Sequence, residues 1–534
     1  MWRLNKIHHK SRWHQNNIDE LRLRRREQER ALRQARRDRQ LVSKRLLLYE
    51  EEEQTGVTME TASGEQDVVS LLLKLQRGGA EKEIHLKALS KVLRESSTQL
   101  SFIKQENSMH LLVGLLTGSD AQCRLLAVRC LHELSYSPNT SVASACMPAT
   151  PYLLTFLSGP TTKFTETCLY TLGNLCPVSE AVKEKLLAQG IIPALASCME
   201  NQRYNLAVVE AVGFTLSQLL QATGAIQKII SMVMCSSLPT YLVSFLTPDS
   251  EFGLGAAIEC AWCLHYLVCS SEDHQELLAR GALLHCSAEL VSLSGAVTQG
   301  HKEDGMELLV CPLLRIVGNL LPSCLVEDLD KNTVFTLLVD ALCVFLQAYL
   351  SSSPSLARET AWVLNNLTAH STECCSAVVT LNLVSPLIQL LPVSHGINTM
   401  VLRILANIVS KKKELCVQLV QLGLLSALCS TLKMADQEMV TLSLDVLYML
   451  LLTGPQVRTQ MSTGTSSFFL TRKRPRVKCH EHKNILFFQV KEEFLREGGA
   501  SILEIIQYND EGEIRQKASY LVDQLLLTQQ QHTI

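Results

Sequence analysis

With 534 residues, 47% of them hydrophobic and 19% charged, the chain can bury a large core, which excludes intrinsic disorder and leaves room for three or four ordinary domains. Its 25 Gly, 15 Pro and 5% aromatic residues argue against turn-rich, aromatic β-sandwiches and barrels, so Leu-rich helices are expected. The formal charge of -2 hides an asymmetry: residues 1–45 carry 15 Lys/Arg against five Asp/Glu, a net of +10, and the remainder a net of -12.

The first 55 residues form a basic arm. From Ile18 to Leu48 there is no Gly or Pro, and Asn17 with Glu20 offers a capping-box start, so the spacing predicts a helix. Its apolar positions Leu21, Leu32, Ala35 and Leu41 make no heptad seam, while Arg24, Arg25, Arg26, Arg33, Arg36, Arg37 and Arg39 cover nearly every side. A helix with nothing of its own to bury is expected to order fully only against an acidic partner. The N-terminus lacks the apolar stretch of a signal peptide, and the 19 cysteines lie scattered in apolar segments without framework spacing. A reducing compartment, cytoplasm and nucleus, is therefore expected.

Residues 56–99 read as a helical cap, and 100–461 as about eight repeats. The segments around Glu133, Asn174, Gln218, Tyr266, Asn319, Asn366 and Asn407 share one frame, with separations of 41, 44, 48, 53, 47 and 41 residues. That is the period of HEAT and armadillo units. Sixteen residues after Asn174, Asn366 and Asn407 come Gly190, Asn382 and Gly423, residue types that tolerate positive φ, each followed by an apolar helix. This second landmark favours armadillo repeats, giving an all-α, right-handed superhelical solenoid whose third helices line one face. Two windows, Val334 to Leu350 and Thr441 to Leu452, are apolar, but they carry Asp340, Gln347 and Asp445 and fall short of a membrane span. Residues 462–489 break the pattern as an irregular insertion holding Arg472-Lys-Arg-Pro-Arg-Val-Lys, read either as a solvated loop or as a nuclear-localisation-type patch. Residues 490–534 resume with capping helices.

No pattern for catalysis survives its spacing test. Gly253-Leu-Gly lacks the third small residue of a dinucleotide loop; Cys260-Ala-Trp-Cys263 sits inside a repeat helix, where core thiols are expected; Cys479-His-Glu-His482 has no second ligand pair nearby. A non-enzymatic protein without metal or cofactor is expected.

The run from Leu21 to Arg45 resembles the importin-β-binding arm of the importin α family. The resemblance implies that the arginine-rich helix, with Leu32, is gripped by importin β, and that Lys44 and Arg45 form the trailing basic cluster. It also implies a cargo groove in which a Trp and, four residues later, an Asn project from one helix face, the ring taking a cargo lysine stem and the amide its backbone. In this chain both members stand only at Trp362/Asn366. Tyr170/Asn174, Phe214/Gln218 and Trp262/Tyr266 are partial versions, Arg315/Asn319 and Arg403/Asn407 put a cation at the ring position, and Arg129/Glu133 keeps neither. The expected function is a nuclear import adaptor with importin β and an extended cargo segment as partners. The alternatives are an armadillo scaffold whose arm contacts nucleic acid or acidic lipid, and an integral membrane protein.

Overall fold

The computed structural model describes residues 64–159, 161–221, 226–270, 274–300, 305–392, 396–452, 489–509 and 512–527. The arm, with Arg24, Arg25, Arg26, Leu32, Arg33, Arg36, Arg37, Arg39, Lys44 and Arg45, lies outside them, as do the basic run 472–478 and Cys479 to His482. Among the described residues every regular element is helical, beside one isolated bridge between Asp249 and Gly253.

The described residues divide into two compact units, with the boundary between Gln105 and Glu106. In the first, helices Glu65–Arg77, Lys82–Val92 and Ser96–Lys104 pack around Val68, Leu72, Leu86, Leu89 and Leu93, all withdrawn from solvent. Two side chains of the third helix satisfy the open carbonyls at the end of the second: Thr98 Oγ1 donates to Val92 O at 2.5 Å and Gln99 Nε2 to Leu93 O at 2.8 Å.

The second unit is built on a ladder of long helices. Among the described residues these are α1 (Ala121–Ser135), α2 (Thr162–Leu175), α3 (Leu206–Leu219), α4 (Gly255–Ser270), α5 (Met306–Leu320), α6 (Pro354–His370), α7 (Asn398–Lys411), α8 (Gln437–Leu452) and α9 (Gly512–Leu527). Each packs on the next, and α9 packs on α8 although the insertion separates them in sequence. The chain is an all-α armadillo-repeat solenoid, each repeat covering the apolar side of its neighbour.

Local chemistry sets the ladder's breaks. Asp120 ends the preceding turn by accepting from the backbone N–H groups of Gln122 and Cys123 at 2.9 and 3.2 Å, which starts α1. Gly190, Asn382 and Gly423 adopt φ of 82°, 58° and 91°, as their spacing predicts, and Gly281 does the same at 78°. A β-branched or bulky residue would resist that left-handed conformation, so these positions hold the sharp turn between helices of one repeat.

Fifteen of the 18 described cysteines are buried. Burial raises the thiols of Cys146, Cys176 and Cys343 to about 12, so they stay protonated and act as small core hydrophobes. Cys260 and Cys263 are both free thiols within α4, and Cys263 donates to Gly213 O at 3.1 Å.

Both windows weighed in the sequence fall short of a span, as expected, and among the described residues one unbroken helical segment has the length and composition to cross a membrane. It is Met306–Ser323, and 72% of it is buried inside the fold. Thr333–Tyr349 is apolar but shorter, and three bent helix pairs meet the same test only if each counts as one broken span. Met306–Leu320 packs on α4, α6 and Ala282–Thr298. Repeat packing accounts for its apolarity on all these sides.

Candidate functional site: the ladder face

The frame shared by the repeats becomes a contact rule in space. At two of the landmarks the side chain four residues earlier, Phe214 and Trp362, leans on the preceding ladder helix, and the receiving residue is glycine. Phe214 of α3 lies on Gly173 of α2, where an added Cβ would stand 2.6 Å from Cε1 of the ring. Trp362 of α6 lies on Gly318 of α5 in the same manner, and an added Cβ there would overlap the indole. Sequence reasoning missed these glycines, although the Gly-Asn pairs at 173–174 and 318–319 were available as a signal.

The aromatic residues differ in exposure. Trp262 is 3% exposed, edge-on to His265 with centroids 5.5 Å apart. Tyr170 is buried with its ring 5.1 Å from Phe214. Trp362, the member of the one complete Trp/Asn pair, is half-buried. Of these three rings it is therefore the one with the most surface left to offer a ligand.

The landmark asparagines tie repeats together. Asn174 Nδ2 donates to Ser135 Oγ of α1 at 3.3 Å, and Asn366 Nδ2 to Gly318 O of α5 at 3.0 Å. Asn407 Nδ2 reaches Asn365 O and Oδ1 at 3.3 Å and Thr368 Oγ1 at 3.1 Å, all on α6. Asn319 Nδ2 donates to Arg315 O at 2.7 Å within α5 and to Cys269 Sγ of α4 at 3.7 Å. An amide nitrogen carries two N–H groups, so Asn366, with one such bond to Gly318, keeps donor capacity that Asn407 has spent.

The two arginines at ring positions correct the sequence expectation. The resemblance implies that a side chain at this position faces the cargo. Arg315 is instead 1% exposed, and its Nη2 meets Glu359 Oε1 of α6 at 3.3 Å in a buried pair. Arg403 is partly exposed, but its Nη2 already meets Glu438 Oε1 of α8 at 2.9 Å. In each case the next ladder helix supplies the carboxylate; for Arg315 burial requires that its charge be met, whereas the Arg403 pair is a surface bridge. Arg129 and Glu133 are both half-buried on α1. Among the described residues no group of three His, Cys, Asp or Glu side chains is placed to hold a metal ion.

Comparison with known proteins follows the same line. The TMCO6 family model matches residues 68–492. Importin subunit alpha-9 of Arabidopsis thaliana is 24% identical over 334 residues, 60% of this chain, and the match spans 60% of that relative's own length. A solved engineered protein superposes with a TM-score of 0.60 at 17% identity, covering 86% of this chain and 98% of its own. A structure from work on a phosphorylation switch that controls the interaction between cadherin and β-catenin gives a TM-score of 0.54 at 13% identity, covering 85% and 99%. At such identities the solved structures speak for the fold alone.

Proposed function

Because the chain belongs to the TMCO6 family and carries an importin-α-like repeat array, we propose that it is a non-enzymatic adaptor which binds an extended protein segment along its ladder face and importin β through its basic arm. The observation that carries the groove part is the Trp362, Asn366 and Gly318 node. A half-buried indole is braced on a glycine, and the amide beside it uses one N–H internally. Such a node can take the aliphatic stem of one cargo lysine or arginine and hold its backbone. Tyr170, Asn174, Trp262, Asn319, Arg403 and Asn407 extend the contact line on either side, with smaller exposed surface or donors already engaged. Arg315 ties α5 to α6 through its buried pair with Glu359. The arm reading rests on the arginine pattern from Arg24 to Arg39 with Lys44 and Arg45 behind it.

A second reading is favoured by one specific feature. Since the amides of Asn174 and Asn407 and the charges of Arg315 and Arg403 are met inside the protein, the ladder face offers one slot for a basic side chain rather than a row. An armadillo scaffold for a partner of other chemistry fits that arrangement. Capture by immobilised importin β decides between them: the adaptor reading expects the full chain to be retained and a chain beginning at Gly56 to pass through, whereas equal behaviour of the two favours the scaffold.

A further inference from the structure

Cys269 differs from the other described thiols. It lies on α4, three residues past the landmark Tyr266, and it is exposed, whereas 15 of the 18 described cysteines are buried. The exposed thiol sits in a cluster contributed by two ladder helices. His265, one turn earlier on α4, places Nδ1 3.4 Å and Nε2 3.9 Å from Cys269 Sγ, and Asn319 of α5 aims its Nδ2 at the same sulfur from 3.7 Å. The imidazole is only 4% exposed and packs beside two rings, with Trp262 5.5 Å and Tyr266 5.3 Å away by centroid. A base beside a solvent-accessible thiol, with an amide donor also within reach of the sulfur, is the arrangement that activates a sulfur nucleophile. The second exposed thiol among the described residues is Cys235, at the end of Ile226–Met234.

We propose that Cys269 is a redox-modification site on the ladder face, which forms a mixed disulfide with small disulfides of the oxidised glutathione type. His265 Nδ1 takes the thiol proton, and the Cys269 thiolate attacks one sulfur of the small disulfide. The new Sγ–S bond forms as the old S–S bond breaks, and the released glutathione thiolate leaves with the proton returned from the imidazolium. The Asn319 N–H supports the sulfur anion during the exchange. The adduct places a charged tripeptide at the junction of α4 and α5, beside the landmark Asn319. This assignment stands on the thiol cluster and is independent of the adaptor reading.

The test uses the folded full chain incubated with oxidised glutathione, acid-quenched at intervals, alkylated and mapped by peptide mass spectrometry. Cys269 is expected to be modified about tenfold faster than Cys235, since both are exposed and Cys269 has a base beside it. Cys269→Ser should remove the fast adduct, and His265→Gln should lower the Cys269 rate to that of Cys235. Where circular dichroism shows that His265→Gln loses helix, the same comparison is made with Asn319→Ala, which should slow the reaction in part. Equal rates at Cys235 and Cys269 in the unaltered chain would overturn the proposal.

Discussion

The buried pair of Arg315 and Glu359 carries a stability cost that can be read directly. Both groups are almost without solvent, so each depends on the other to offset lost hydration. Changing Glu359→Gln removes the carboxylate and leaves the guanidinium charge in the core, which is expected to destabilise the repeat unit by about 3 to 5 kcal/mol in urea unfolding. The double change Arg315→Met with Glu359→Leu should restore most of that loss, because an apolar pair avoids the desolvation altogether. A single-variant cost under about 1 kcal/mol would mean that the pair is screened as a surface bridge is. This interaction was not legible in the sequence. Arg315 was visible as a cation in a ring position, but its partner lies 44 residues away, and a repeat period alone does not say which side chain of the next unit meets it.

At the scale of elements, what the sequence could reveal was the frame. A recurrence near 45 residues and positive-φ residue types at a fixed offset are local signals, and Gly190, Asn382 and Gly423 adopt the left-handed conformation that the offset requires. What it could not reveal was how each helix spends its polar groups, because a landmark Asn that ties two repeats and one that faces a ligand look alike in one dimension. All three bond the preceding helix, and the structure separates them by exposure and by bonds made: Asn174 is buried, Asn407 spends its amide on three acceptors of α6, while Asn366, with one bond to Gly318, stands half-buried beside Trp362. Changing Trp362 and Asn366 together to Ala is therefore expected to weaken a selected extended peptide by about 1 to 3 kcal/mol, the scale of a desolvated cation-π contact plus lost hydrogen bonds. Changing Tyr170 and Asn174 together to Ala should weaken it less. Calorimetric titrations giving the reverse order would place the working site on α2 and α3 instead.

For the whole molecule, two properties pull in different directions. Met306–Ser323 has the length and composition of a membrane span, yet it packs against neighbouring helices and carries Arg315 in its buried ion pair. If repeat packing explains that apolarity, carbonate extraction should release the protein from membranes, and persistence in the carbonate-resistant pellet would favour insertion. The other property is charge. An arm of net +10 in residues 1–45 precedes a remainder of net -12, and that arm is the feature which sets an importin-β-binding adaptor apart from a plain scaffold. A generic polybasic segment binds by total charge and yields to salt, whereas a helix gripped in a groove depends on which arginine stands where. The direct measurement is capture on purified importin β of the full chain beside the variant Arg33→Glu, Arg36→Glu and Arg37→Glu, with the thermal transition of each recorded. The account predicts that the variant loses binding while its transition stays in place; equal retention of the two proteins would contradict it.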